Sequence, residues 1–156
     1  MLPDLGLCDP VTREFTLLPP VPAGLVASTL IEAQDDNMEL FYPFFYPSGC
    51  YDEAHFRVIC WTLSEAMAAV FVYSSACSSW THGASAGWAA LGLDVEPEDI
   101  SCVSCWPSYA YGCCYWHAGI SDHLIKLDVN TMEISTVALP SDHEDNQDIY
   151  LQSALT

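Results

Sequence analysis

The chain has 156 residues, 51% of them hydrophobic, and sets 21 Asp plus Glu against three cations, Arg13, Arg57 and Lys126, for a formal charge of -18. Counterion release then has almost nothing to work with, which excludes electrostatic nucleic-acid binding, and anionic membrane surfaces are disfavoured for the same reason. The length fits one modest domain, burying roughly 70% of its unfolded surface.

Taken in chain order, residues 7–18 read as a hairpin. Leu7 and Cys8 run through a small polar cluster into Phe15, Thr16, Leu17 and Leu18, and Pro19, Pro20 and Pro22 end it because proline supplies no ladder donor. Residues 27–33 fit either a strand or one helical turn. A strand is expected near 39–42 with a long loop over 43–53, since Pro43 interrupts the aromatic run. From 55 to 62, Phe56, Val58 and Cys60 alternate with Arg57, Ile59 and Trp61, and both faces are largely apolar, as in a strand covered on two sides. Residues 69–74 pair with it and 79–82 complete a three-stranded meander, after which 84–93 read as a short helix capped by Ser85. Residues 109–116, 124–128 and 133–139 form a second meander. The domain is read as 1–140, followed by an acidic, flexible tail over 141–156.

The strand-turn-strand unit occurs three times, over 7–19, 72–81 and 127–140, and a recurring hairpin points to a repeat architecture. Meanders of three or four strands recurring along a chain are the pattern of propeller blades. The expected fold is mainly β: antiparallel meanders forming a partial, incomplete β-propeller of about three blades. No signal-peptide pattern opens the chain, and the longest apolar run, 66–73, is far short of the ~20 residues that span a bilayer. The eight cysteines are therefore read as reduced thiols of an intracellular protein, cytoplasmic or nuclear. The acidic groups at 32–39, 94–99 and 142–148 read as solvated loops and tail, with recruitment of a basic partner as the sharper alternative.

The ordered set of motifs resembles the F-box-associated, kelch-like propeller region of plant F-box proteins, especially the grass-type set. It is carried by Cys8, Asp9, Pro10, Val11, Thr12, Arg13, Glu14, Phe15 and the prolines after Leu18; by Phe71, Val72, Tyr73, Ser74 and Ser75 with Trp80; and by Tyr109, Ala110, Tyr111, Gly112, Cys113, Cys114, Tyr115 and Trp116 with 124–128 and 132–140. The resemblance implies substrate recognition for a cullin-type ubiquitin ligase, in which an F-box helix bundle docks the Skp adaptor. Here the first motif begins seven residues from Met1, so the expectation is a member without its own F-box, and Skp adaptor binding is not expected of it. The implied partner is a protein of unknown identity, with self-association through exposed strand edges as a further expectation. The resemblance brings no catalytic, cofactor or metal residues.

Two chemical alternatives are weighed against that module. Gly83, Ser85 and Gly87 match a G-x-S-x-G nucleophile elbow, with Asp128 and His143 following in hydrolase order, which would make a small serine hydrolase. The elbow needs a buried strand before it and a parallel sheet around it, whereas this chain alternates hairpins. Cys102, Cys105, Cys113 and His117 are plausible zinc ligands, but their spacing matches no common finger, and Cys113 and Cys114 read as opposite faces of one strand. Trp61, Trp80, Trp88, Trp106 and Trp116 are read as packing between blades, and His55, His82, His117 and His123 as surface or loop residues. The expected partner-facing loops are 43–53, 84–99 and 119–123.

Overall fold

Turn chemistry sets the architecture. The structure, a computed structural model, describes residues 5–8, 11–33, 40–45, 55–94, 107–117 and 122–139. Strands β1 (Gly6–Cys8) and β2 (Phe15–Leu17) form a hairpin and are followed by helix α1 (Ala23–Ala33). Strands β3 (Leu40–Phe45), β4 (Arg57–Leu63), β5 (Met67–Ser74) and β6 (Ser79–Gly87) form one antiparallel sheet in chain order. A 3-10 turn, Ala89–Leu91, precedes the second, which is built from β7 (Ser108–Ala110), β8 (Cys113–His117), β9 (His123–Asp128) and β10 (Glu133–Ala138), again in order. The protein is thus mainly β, made of antiparallel meanders. Among the described residues no helix is long and apolar enough to cross a membrane.

The first sheet is the middle layer. Ile59, Trp61, Leu63, Val70 and Val72 point to one side and pack against Cys114, Trp116, Ile125 and Leu127 of the second sheet. Trp61 and Trp116 stack there with centroids 4.2 Å apart and planes 13° from parallel. The alternate residues Val58, Cys60, Phe71, Tyr73 and Trp80 point the other way and are covered by Leu18 and Val21, with Leu5, Leu7, Leu25 and Val26 around them. Two-sided burial of β4 and β5 is what their continuous apolar runs predict. Four of the five tryptophans, Trp61, Trp80, Trp88 and Trp116, are buried between layers, and Trp106 lies outside the described residues.

The three hairpin turns share one register. Arg13, Ser78 and Met132 are non-glycine residues with φ of 60°, 50° and 55°, and each stands four residues after Asp9, Ser74 or Asp128 and two before Phe15, Trp80 or Ile134. A single left-handed residue stands at the same place before the second strand of each hairpin, and between β5 and β6 and between β9 and β10 it closes a four-residue loop. The faces agree as well. Trp80 points from β6 toward the hairpin, and Ile134 points from β10 toward the first sheet, so each looks back at the preceding layer. The hairpins β5–β6 and β9–β10 are the third and fourth strands of their meanders, and β1–β2 is the matching half of a unit whose other half does not appear among the described residues.

Several expectations are corrected by the structure. Residues 84–93 do not form a helix capped by Ser85: β6 runs through Ser85 to Gly87, because pairing with β5 overrides the helix propensity of this Ala-rich stretch, and only Ala89–Leu91 turns. Residues 27–33 belong to a full helix that begins at Ala23, with Leu25 and Val26 amides bonded to the Pro22 carbonyl. The aromatic run continues as strand through Pro43, opposite Cys60, which is tolerated because β3 is an edge. The single strand expected over 109–116 is two strands folded at Tyr111 and Gly112, with φ of 52° and 76°, a primed turn that matches strand twist. The tail, 141–156, lies outside the described residues.

Candidate interaction surface

The layer over the first sheet is unevenly filled. Trp80 Nε1, on β6, donates to the Pro19 carbonyl just beyond β2 at 2.6 Å, and α1 lies against β6. Helix and β2 therefore cover the β6 side, and β1 lies toward β3. Between β1 and β3 an apolar groove of about 170 Å³ remains, lined by Leu5, Gly6, Leu7, Leu18, Pro43, Phe44, Phe45 and Val58. Phe45 is 62% exposed at its rim and meets Phe56 edge-on at 6.3 Å; Phe56 in turn lies 6.1 Å from Tyr73, continuing the aromatic row across the sheet.

The hairpin's far face is apolar too. Gly6 pairs with Leu17 and Cys8 with Phe15, so these four share the side turned away from the sheet, where Phe15 is 64% and Leu17 66% exposed. By the turn register Phe15 occupies the place of Trp80 and Ile134, which are covered by a preceding layer. The opposite end of the stack is different. The outer face of the second sheet carries Tyr115, Lys126 and Ser135 in a row of cross-strand partners, with Glu133, His117 and Val137 around them. Tyr115 is held above the ordinary phenol range, first by desolvation and then by a hydrogen bond with Cys113. A polar end face is what caps a repeat stack.

The residues singled out for chemistry are not brought together. Ser85 sits inside β6 opposite Ala69, not on a strand-to-helix elbow. Gly83 is the extra residue of a β-bulge, since Phe71 pairs with His82 and Val70 with Ala84; a Cβ there would meet Val72 Cγ2 at 3.1 Å and the Val70 carbonyl at 3.3 Å. Asp128 is occupied in its turn, accepting the amides of Asn130 and Thr131 at 2.9 and 3.1 Å, and these bonds hold its carboxyl below the usual range. His143 lies outside the described residues, as do Cys102 and Cys105. Cys113 and His117 stand four residues apart on β8, about 13 Å along the strand, too far to share an ion. Among the described residues no three His, Cys, Asp or Glu side chains gather as a metal site.

Of the loops expected to face a partner, 43–45 belongs to β3, 84–87 to β6 and His123 to β9, while 46–53, 95–99 and 119–121 lie outside the described residues. The groove was not among the sequence expectations; its only sequence signal is the aromatic run around Pro43. No family model matches the chain, and neither does any curated protein or solved structure.

Proposed function

We propose that this chain is a protein-interaction module, a partial propeller of about three blades related to the substrate-recognition region of plant F-box proteins. The carrying observation is the common register of Arg13, Ser78 and Met132, which supports one repeated meander stacked on itself. A repeat stack with an apolar, exposed first layer and a polar last one offers a surface for another polypeptide at its first end. The ordered signature motifs supply the tie to ubiquitin ligases. In this reading the partner is a protein selected for ubiquitination, and the Skp adaptor is not contacted by these residues.

Cross-linking of the folded chain in a plant cell extract, followed by peptide sequencing, tests it. Protein partners attached near Phe15 and Phe45 are expected, without direct adaptor products. Recovery of the Skp adaptor as the main direct product, or the same products from heat-unfolded chain, would overturn the reading.

A further inference from the structure

The hairpin leaves one strand position open. Its counterparts β5 and β9 are paired on both edges, by β4 and β6 and by β8 and β10, whereas β1 pairs with β2 alone among the described residues. Beside the free edge of β1 lies the apolar groove toward β3. The other units show what such a position holds. Leu5 and Leu7 stand, by the turn register, where Val70 and Val72 stand in β5, and those pair with the fully buried Trp61 and Ile59 of the antiparallel β4.

We propose that the free edge of β1 receives an extended segment of a separate, basic protein. The segment runs antiparallel to β1, with apolar side chains opposite Leu5 and Leu7 entering the groove over Pro43, Phe45 and Val58. Backbone pairing supplies affinity and the alternate side chains supply selectivity, as in other strand-addition complexes. Charge decides the source of the strand. The chain has 21 acidic residues against three basic ones, and in the sequence Asp9 directly follows β1, Asp4 stands two residues before it and Glu39 precedes β3. A second copy would bring -18 against -18, whereas a segment flanked by Lys or Arg is drawn in. This inference rests on the interaction-module reading and names the partner's chemistry.

The test is fluorescence anisotropy on the full chain with the labelled peptide KKVTVTVKK, its acidic twin EEVTVTVEE and a proline-broken twin, KKVPVPVKK. Saturable binding of the first is expected, weakened at least about tenfold in each twin and by Phe45→Lys, the loss typical of one interface anchor. Tyr111→Lys adds the same charge at a remote, exposed turn and is expected to leave binding unchanged. Three results would each overturn the proposal: no binding of KKVTVTVKK near 1 mM peptide, roughly the weakest affinity worth calling specific; equal loss in both lysine variants; or equal binding of the proline peptide. So would light scattering that shows a dimer broken by Phe45→Lys, which would give the groove to a second copy. Cross-linked partners found despite peptide failure would leave the broader module reading standing and remove only the groove.

Discussion

The cysteines differ most in what surrounds each sulfur. Cys77 lies exposed in the β5–β6 turn, where its Sγ shares a hydrogen bond with Ser79 Oγ at 3.0 Å and donates to the Ser74 carbonyl at 3.8 Å. The side-chain hydroxyls of Ser79, first, and Ser74 favour the thiolate and lower the thiol below its ordinary value, so more of it is thiolate at neutral pH. Cys60 is buried and pushed well up by desolvation, and Cys114 is pushed up to about 12 for the same reason. Iodoacetamide at neutral pH, read by peptide mass spectrometry, is therefore expected to label Cys77 ahead of Cys60 and Cys114, and Ser79→Ala to slow it; early labelling of Cys60 would contradict the burial. Trp61 and Trp116 make a second contrast. Both indole N–H groups are buried without an acceptor among the described residues, a stranding that costs about 1–3 kcal/mol each. Trp61→Phe removes such a donor while keeping a ring in the stack, so its cost in denaturant unfolding is expected to stay below about 1.5 kcal/mol. Trp61→Ala, which leaves a cavity, should cost about 3–5 kcal/mol.

At the scale of elements the turns carry the strongest constraints. A left-handed non-glycine residue is strained by roughly 1–2 kcal/mol, and glycine relieves that at the expense of unfolded-state entropy. Met132→Gly is expected to leave stability unchanged or raise it by up to about 1 kcal/mol; a large loss would mean that the Met132 side chain, half-buried against the inter-sheet core, outweighs the turn. The neighbouring Asp128 sets a pH dependence. Its folded carboxyl is held below the usual range by the Thr131 and Asn130 amides, so its contribution is complete above the unfolded carboxylate pKa of about 4 and is lost as pH falls through the lower folded value. The thermal midpoint of wild type should exceed that of Asp128→Asn near neutrality, and the gap should close on acidification. These hairpins were legible in the sequence because their turns are local: small polar residues between two short β-prone runs. The break at Tyr111 and Gly112 was hidden inside a continuous aromatic run, and β6 was hidden by its Gly, Ala and Ser content, since only pairing with β5 makes it a strand. The groove was illegible for a stronger reason. It exists because β1 has no neighbour over β3 among the described residues, a relation between residues 5–7 and 43–45 that no local pattern records.

The described residues form three layers sharing two cores, and among them neither outer layer has a core of its own. A lone two-stranded hairpin is marginal in water, so β1 and β2 depend on Leu5, Leu7 and Leu18 covering the first sheet. The second sheet in turn buries Trp116, Ile125 and Leu127 only against the first. The central sheet is common to both cores, with Val58 and Cys60 on one side of β4 and Ile59 and Trp61 on the other. Unfolding should accordingly be one transition, since melting either interface exposes a face of β4 and β5 on which the other is built. Two native thiols report this without an engineered probe. Cys60 lies in the core under the hairpin and Cys114 in the core between the sheets, both at or below 1% exposure. In a urea series with brief iodoacetamide pulses, the two are expected to become alkylated with the same midpoint, and Trp116→Ala should shift both equally although it touches only one core. If Cys60 were labelled at clearly lower urea than Cys114, the hairpin and helix would be opening as a separate unit, and the two cores would not be coupled through β4.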